Sequence, residues 1–257
     1  MAEITVFTDL AYGGHERQRI DLFRPAGEGA APLLVLIHGG GWAGGDRVQY
    51  YQTCVRLAEA GMAAASVGYR LLPEAAWPQI AWDPLRAAAW LAERASELGI
   101  DASRTVTWGS SAGAHLALCL QAWRDRWVAD GAVAAAPEII GTLAQCPAVE
   151  FPRPVPESLN RRALMNGHPH EEVSPAHIDP RLFRSVLLVQ GDGDQTTPLP
   201  AARAFVERLA GAGAEARLEV LAGAEHGFGY NLTGENARAC LRLGIDYVRG
   251  LFGRGRT

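Results

Sequence analysis

The stretch Thr105-Val106-Thr107-Trp108-Gly109-Ser110-Ser111-Ala112-Gly113-Ala114-His115-Leu116 decides the fold. It joins a short apolar run to a helical pattern through a turn of small residues, and it sets two serines side by side in that turn. Only Ser111 is the centre of a G-x-S-x-G pentapeptide, flanked by Gly109 and Gly113; centring on Ser110 would put Trp108 and Ala112 where the glycines belong. The glycines have a steric purpose. A nucleophile on a sharp strand-to-helix turn sits in a strained backbone conformation, and bulky neighbours would strike the strand and the helix. The N-terminus of the following helix also favours developing negative charge. A serine that simply caps a helix gives part of the same pattern, so the chemistry of Ser111 depends on partners elsewhere.

Working outward, strands and helices alternate. Residues 17–24 (RQRIDLFR) alternate polar and apolar as in a half-buried strand, and 32–38 (PLLVLIH) form a continuous apolar run, as in a strand buried on both faces. A helix is expected over 50–60, stopped by Gly61, and a strand over 62–69. Residues 83–98 read as a helix with Asp83 as N-cap, Pro84 at the first helical position and Gly99 at its end. After the Ser111 turn come a helix over 112–123, a strand around 131–136 (GAVAAA), a strand over 185–191, a helix over 200–213, a strand over 216–223 and a last helix over 235–251. This order predicts an α/β fold: one domain over 1–257 with a mostly parallel central sheet and helices on both faces. Residues 137–184 break the rhythm. They are rich in proline, hold His168, His170 and His177, and show no period; they are read as a small cap inserted between two sheet strands.

A second motif, His38-Gly39-Gly40-Gly41-Trp42, follows the most apolar strand. Consecutive glycines leave backbone N–H groups unshielded, free to point at a substrate oxygen. Acyl transfer needs such donors because the tetrahedral intermediate carries negative charge on the former carbonyl oxygen, and losing one typically costs about 2.7–4 kcal/mol of transition-state stabilisation. Glycine-rich loops also bind phosphate, but no P-loop lysine follows here.

At these two motifs the sequence resembles the α/β-hydrolase superfamily. It looks most like the HGGG-bearing esterases, the hormone-sensitive-lipase-like group and the related feruloyl and acetyl-xylan esterase-like group. Gly68-Tyr69-Arg70-Leu71 with Pro73-Glu74 adds to the likeness, which runs from about residue 17 to the C-terminus and is vague in the cap. The resemblance implies an α/β-hydrolase fold and the chain order serine, acid, histidine. SVLLVQGDGDQTTP offers two acids, Asp192 and Asp194. The family pattern G-x-x-D-x-x-x-P is filled by Gly191, Asp194 and Pro198, which implies Asp194; Asp192 is then a turn residue bonding its own backbone. The family often has histidine where Gln190 stands, a departure expected to leave the triad unaffected. Ala224-Glu225-His226-Gly227-Phe228 follows the last strand in a form common in the family, which implies His226. Ser111 would then attack the acyl carbon, His226 would shuttle the proton, and Asp194 would fix the imidazole. The implied oxyanion donors are the N–H groups of Gly40, Gly41 and Ala112. Trp42, directly after the glycines, is expected to line the substrate pocket. No metal and no organic cofactor is implied.

Other features narrow the function. His115 and His38 are expected to be buried, hydrogen-bonded histidines, and His168 and His170 solvated side chains rather than metal ligands. The net charge of −4 without a basic tract argues against nucleic acid. The longest aliphatic run, Leu33 to Ile37, is too short to span a bilayer. The opening MAEITVFTDL has no basic start or apolar run, so the expected location is the cytoplasm. Four scattered cysteines without a C-x-x-C pair read as free thiols. The expected activity is a serine carboxylesterase acting on small, short-chain or aromatic acyl esters. An arylformamidase-like hydrolase, which shares H-G-G-x-W and S-A-G-A-H-L, and an acetyl-xylan or feruloyl esterase are the alternatives. A non-catalytic receptor is opposed by the three filled triad positions. A prolyl-oligopeptidase-type enzyme would need a propeller, for which the length leaves no room. The expected partner is a small-molecule ester; a homo-oligomer is left open.

Overall fold

The strand Ala31–Ile37 (β3) shows how the sequence builds the core. Leu33, Val35 and Ile37 face one side, Leu34 and Leu36 the other, and all five are fully buried. Successive side chains in a strand point to opposite faces, so a run that is apolar at every position needs cover on both. In the computed structural model, which describes residues 2–151 and 159–254, that cover is present. One face carries helices Gln79–Glu93 (α2) with the short Ala95–Leu98 (α3) after it, Ala112–Ala129 (α4) and Leu199–Gly211 (α7). The other carries Tyr51–Glu59 (α1) and Glu235–Gly253 (α8).

The sheet has eight strands in the order β1-β2-β4-β3-β5-β6-β7-β8, where β1 is Ile4–Ala11, β2 Arg19–Pro25, β4 Ala63–Val67, β5 Ile100–Ser110, β6 Glu138–Gln145, β7 Ser185–Gly191 and β8 Glu215–Leu221. β1 and β2 form an antiparallel edge, β2 meets β4 antiparallel, and all remaining pairs are parallel. The register sets Ile37 beside Gly109, Ser110 beside Gln145, and Gly191 beside Leu221. The loops after β3, β5, β6, β7 and β8 therefore leave one edge together, where open α/β sheets bind ligands. Among the described residues no helix is long and apolar enough to cross a membrane.

Three expectations are corrected. The strand expected around 131–136 lies at Glu138–Gln145. The alanine-rich stretch has little to pack on a pleated surface, whereas Gly141 lets α8 close in: a Cβ there would lie 2.5 Å from Leu251 Cδ1 and 2.6 Å from the Tyr247 hydroxyl. The insertion thus begins after β6; its described part, up to Arg184, carries the short helices Leu159–Met165 (α5) and His170–Val173 (α6). Asp83 is no N-cap. It sits inside α2, fully buried, and takes a two-point ion pair from Arg70, with Nη2 at 2.7 Å from Oδ1 and Nε at 2.8 Å from Oδ2. The edge strand β1, with no fully buried residue, has no counterpart in the sequence reading.

Candidate active site

Ser111 stands between β5 and α4 with φ 54° and ψ −118°, in the strained region expected of a nucleophile turn. Its small neighbours are required there. A Cβ on Gly109 would lie 2.3 Å from the Gly113 carbonyl oxygen, and one on Gly113 would lie 2.0 Å from the Ile37 oxygen and 2.4 Å from the His38 oxygen. Gly113 thus lets α4 press against the end of β3, which brings the glycine loop to the serine. Gly39 completes the approach, since a Cβ on it would lie 3.3 Å from Ser111 Cβ.

Three distant side chains meet at this point. Ser111 Oγ is 2.8 Å from His226 Nε2, and His226 Nδ1 is 2.8 Å from Asp194 Oδ2. Asp194 is almost fully buried on the loop after β7. Its Oδ1 accepts the N–H groups of Thr196 (2.8 Å) and Thr197 (2.9 Å); its Oδ2 accepts from Thr197 Oγ1 (2.8 Å) and Gln190 Nε2 (2.9 Å) besides His226. Burial raises the pKa of this carboxyl, but the Thr197 N–H and the His226 imidazole outweigh it and hold the group below the usual carboxylate range. An ionised Asp194 fixes the tautomer: Nδ1 carries the proton and Nε2 is left to accept from the serine hydroxyl.

His226 responds to the same neighbours. Burial disfavours its cation, yet Cys146 and Asp194 together overcome this and push the imidazole up to about 9. Cys146, fully buried at the end of β6, places its sulfur within 4.8 Å of the ligand atoms of both His226 and Asp194. These three residues are the one group of three potential metal ligands among the described residues.

The remaining predicted residues are placed as follows. Gly40 (φ 121°) and Gly41 (φ 59°) coil the glycine loop tightly: the Gly40 carbonyl accepts from the N–H groups of Ala43 (3.2 Å) and Gly44 (2.9 Å). Ala112 opens α4 directly after Ser111. Trp42, expected to line the substrate pocket, is instead buried; its Nε1–H donates to His115 Nδ1 at 3.3 Å and its ring leans on Phe151 at 5.6 Å between centroids. An indole next to a buried acceptor and an aromatic ring supports the loop from beneath. His115 is fully buried, and its Nε2 donates to the Val173 carbonyl at 2.7 Å; burial lowers its pKa to about 4 and keeps it neutral. His38 is likewise buried and lowered to about 4, stacked on Tyr69 with Nδ1 donating to the Gly39 carbonyl at 2.8 Å. His168 pairs with Glu172 at 3.0 Å, and His170 packs against His177. The four cysteines are free and buried.

Several supporting contacts have no counterpart in the sequence reading. Asp192 does not bond its own turn; its Oδ1 accepts the Gly223 N–H at 2.6 Å and ties the acid loop to the histidine loop. Gln190 touches Asp194 directly, so the departure from histidine there bears on the triad after all. The Tyr230 hydroxyl accepts the Gly39 N–H at 2.7 Å, which removes that amide from the set free to face a substrate oxygen. Asn160 on α5 donates from Nδ2 to the Gly41 carbonyl at 3.1 Å, linking the insertion to the glycine loop. Tyr230 lies four residues after His226, and Thr196 and Thr197 lie two and three after Asp194; proximity to the motifs was the one available signal.

Comparison with known proteins agrees with this fold. The family model described as prolyl oligopeptidase family matches residues 80–242, more than half of the chain, and one described as BD-FAE matches residues 20–135. The chain is an α/β-hydrolase of the prolyl oligopeptidase family. Both matches fall on the hydrolase fold described above, so membership here rests on that fold and not on a propeller. The chain is 30% identical over 242 residues to Esterase LipC of Mycobacterium tuberculosis, a match covering 85% of this chain and 59% of that protein. Over a shorter span it is 43% identical to an ethyl acetate hydrolase of Pseudomonas putida, covering 37% of this chain and 30% of the relative. The structure of esterase LipW from Mycobacterium marinum superposes with a TM-score of 0.77 at 26% identity, covering 98% of this α/β-hydrolase and 82% of LipW. The α/β-hydrolase described here spans about three fifths of the length of LipC.

Proposed function

We propose that this protein is a serine carboxylesterase that hydrolyses small, short-chain or aromatic acyl esters through an acyl-enzyme. The observation that carries the reading is the unbroken chain from Ser111 Oγ through His226 to Asp194, with both links at 2.8 Å. In the proposed mechanism Ser111 Oγ attacks the acyl carbon while His226 Nε2 takes its proton. The oxyanion is held by the N–H groups of Gly40, Gly41 and Ala112. Collapse breaks the carbon–oxygen bond to the alcohol, which leaves with the proton from His226. Water then attacks the acyl-enzyme, giving its proton to His226, and the acid departs as Ser111 is reprotonated.

The substrate is a small ester, and the esterase names of the relatives support that reaction class. Four buried free thiols suit a reducing compartment, so the proposed location is the cytoplasm. The test is direct. Ser111→Ala is expected to abolish turnover of p-nitrophenyl acetate and labelling by a fluorophosphonate while circular dichroism stays native. Turnover that survives the substitution would reject Ser111 as the nucleophile.

A further inference from the structure

A charged side chain, Arg161, shares a cavity with the acid loop of the proposed triad. Arg161 on α5 lines a cavity of about 200 Å³ together with Pro147, Ala148, Thr196, Thr197 and Pro198. Thr196 and Thr197 are the residues whose N–H groups hold Asp194, so the cavity opens alongside the acid loop. The Arg161 guanidinium is half-buried and lies over the Phe151 ring at 5.6 Å from its centroid. Phe151 in turn packs on Trp42 and His115, beneath the glycine loop. Arg161 thus sits between the glycine loop and the acid loop.

Arg161 differs from the other partly buried arginines near this edge. Arg47 and Arg70 each meet a buried carboxylate, Asp21 and Asp83, at 2.5 and 2.7 Å. Among the described residues no carboxylate lies within 4.0 Å of Arg161. Burial without such a partner lowers its pKa, the direction expected of a cation that has lost water and gained no counter-charge. Glu150 lines the same cavity but is exposed. A guanidinium that lies over a ring, lines a cavity and has no carboxylate partner among the described residues offers a planar fork suited to a carboxylate at two points.

We propose that Arg161 forms an anion subsite next to the triad and that the protein acts on esters carrying a carboxylate group. This rests on the serine-esterase reading of Ser111, His226 and Asp194 and adds a substrate class to it. The carboxylate sits on the acyl side or on the alcohol side of the ester, and matched substrates separate the two: a phenyl half-ester of adipic acid against its primary amide, and 4-carboxyphenyl acetate against 4-carbamoylphenyl acetate.

For the arm that fits, Arg161→Gln is expected to lower kcat/KM on the charged ester about tenfold more than on its neutral counterpart, the effect of one lost charge-assisted contact. Arg161→Lys should retain part of that preference. Glu150→Gln should raise it, by removing the acidic group at the rim. Wild-type protein gives a readout independent of folding in the variants: adipate or 4-hydroxybenzoate should inhibit phenyl acetate turnover competitively, and the matching neutral amide should not. Equal losses on charged and neutral esters in both arms, or equal inhibition by acid and amide, would overturn the anion subsite and leave the esterase reading intact. A wild-type protein that turns over none of the four esters would instead remove the esterase reading itself.

Discussion

Gln190 Nε2 donates to Asp194 Oδ2 at 2.9 Å, the same oxygen that accepts His226 Nδ1 at 2.8 Å. The amide also donates to the Thr197 carbonyl at 2.8 Å, so one side chain orients both the acid and the residue that cradles it. Gln190→Leu would leave that buried carbonyl and one carboxylate lone pair without a donor, at a cost of about 1–3 kcal/mol. We expect a lower Tm and a kcat reduced about tenfold with KM nearly unchanged, because what is lost is the aim of the imidazole. Unfolding curves and steady-state kinetics on p-nitrophenyl acetate check both; an unchanged kcat would reduce Gln190 to a packing residue.

The pH profile follows from the charges around His226. Only the neutral imidazole can accept the serine proton, and the group is pushed up to about 9 by Cys146 and Asp194 against the opposing effect of burial. A raised pKa means the inactive imidazolium dominates below it. The acid limb of kcat/KM should therefore have its midpoint above the ordinary 6.5 of histidine, with activity rising into the alkaline range. Cys146→Ala should move the midpoint down, since the sulfur no longer contributes to holding the cation. A midpoint at or below 6.5 in the wild type would contradict this account of the site.

How much of this was legible in the sequence depends on how far each signal reaches. β3 and β7 were readable because their burial on both faces writes itself as an unbroken apolar run. Ser111 was readable because steric demands at Gly109 and Gly113 lie within two residues of it. β1 was not, because none of its side chains is fully buried and an irregularity between Phe7 and Leu10 breaks the strand alternation. Asp83 misled because an acid before a proline looks the same whether it caps a helix or pairs with Arg70 across 13 positions. The contacts from Tyr230 to Gly39 and from Asn160 to Gly41 span 191 and 119 positions, and no local pattern encodes them. Gln190 was visible, yet its reach to Asp194 depends on how the acid loop folds back over β7.

The turn glycines give a prediction about stability rather than rate. A Cβ on Gly113 would fall 2.0 Å from the Ile37 oxygen and 2.4 Å from the His38 oxygen, both on rigid strand-end backbone. The strand end or α4 must shift to admit it. Gly113→Ala is expected to destabilise the fold by about 3 kcal/mol and to cut kcat/KM steeply by separating the glycine loop from Ser111. Thermal unfolding and turnover on the same preparation test this; a variant with wild-type Tm would show that the approach is looser than described.

Asn160 tests whether the insertion helps to hold the glycine loop. Its Nδ2 reaches the Gly41 carbonyl at 3.1 Å from an exposed position on α5. Exposure means that water can replace the lost bond, so little stability is at stake. What Asn160→Ala removes is a restraint on the peptide next to the proposed oxyanion donors, worth about 0.5–1.5 kcal/mol as a neutral hydrogen bond. Because the donors matter most when the oxyanion forms, the loss should appear in kcat, roughly two- to tenfold by that figure, with Tm unmoved. Asn160→Asp should be worse than Asn160→Ala, since a carboxylate would face the Gly41 carbonyl and repel the developing oxyanion. If the two variants match the wild type in kcat, the contact between α5 and the glycine loop has no part in positioning those donors.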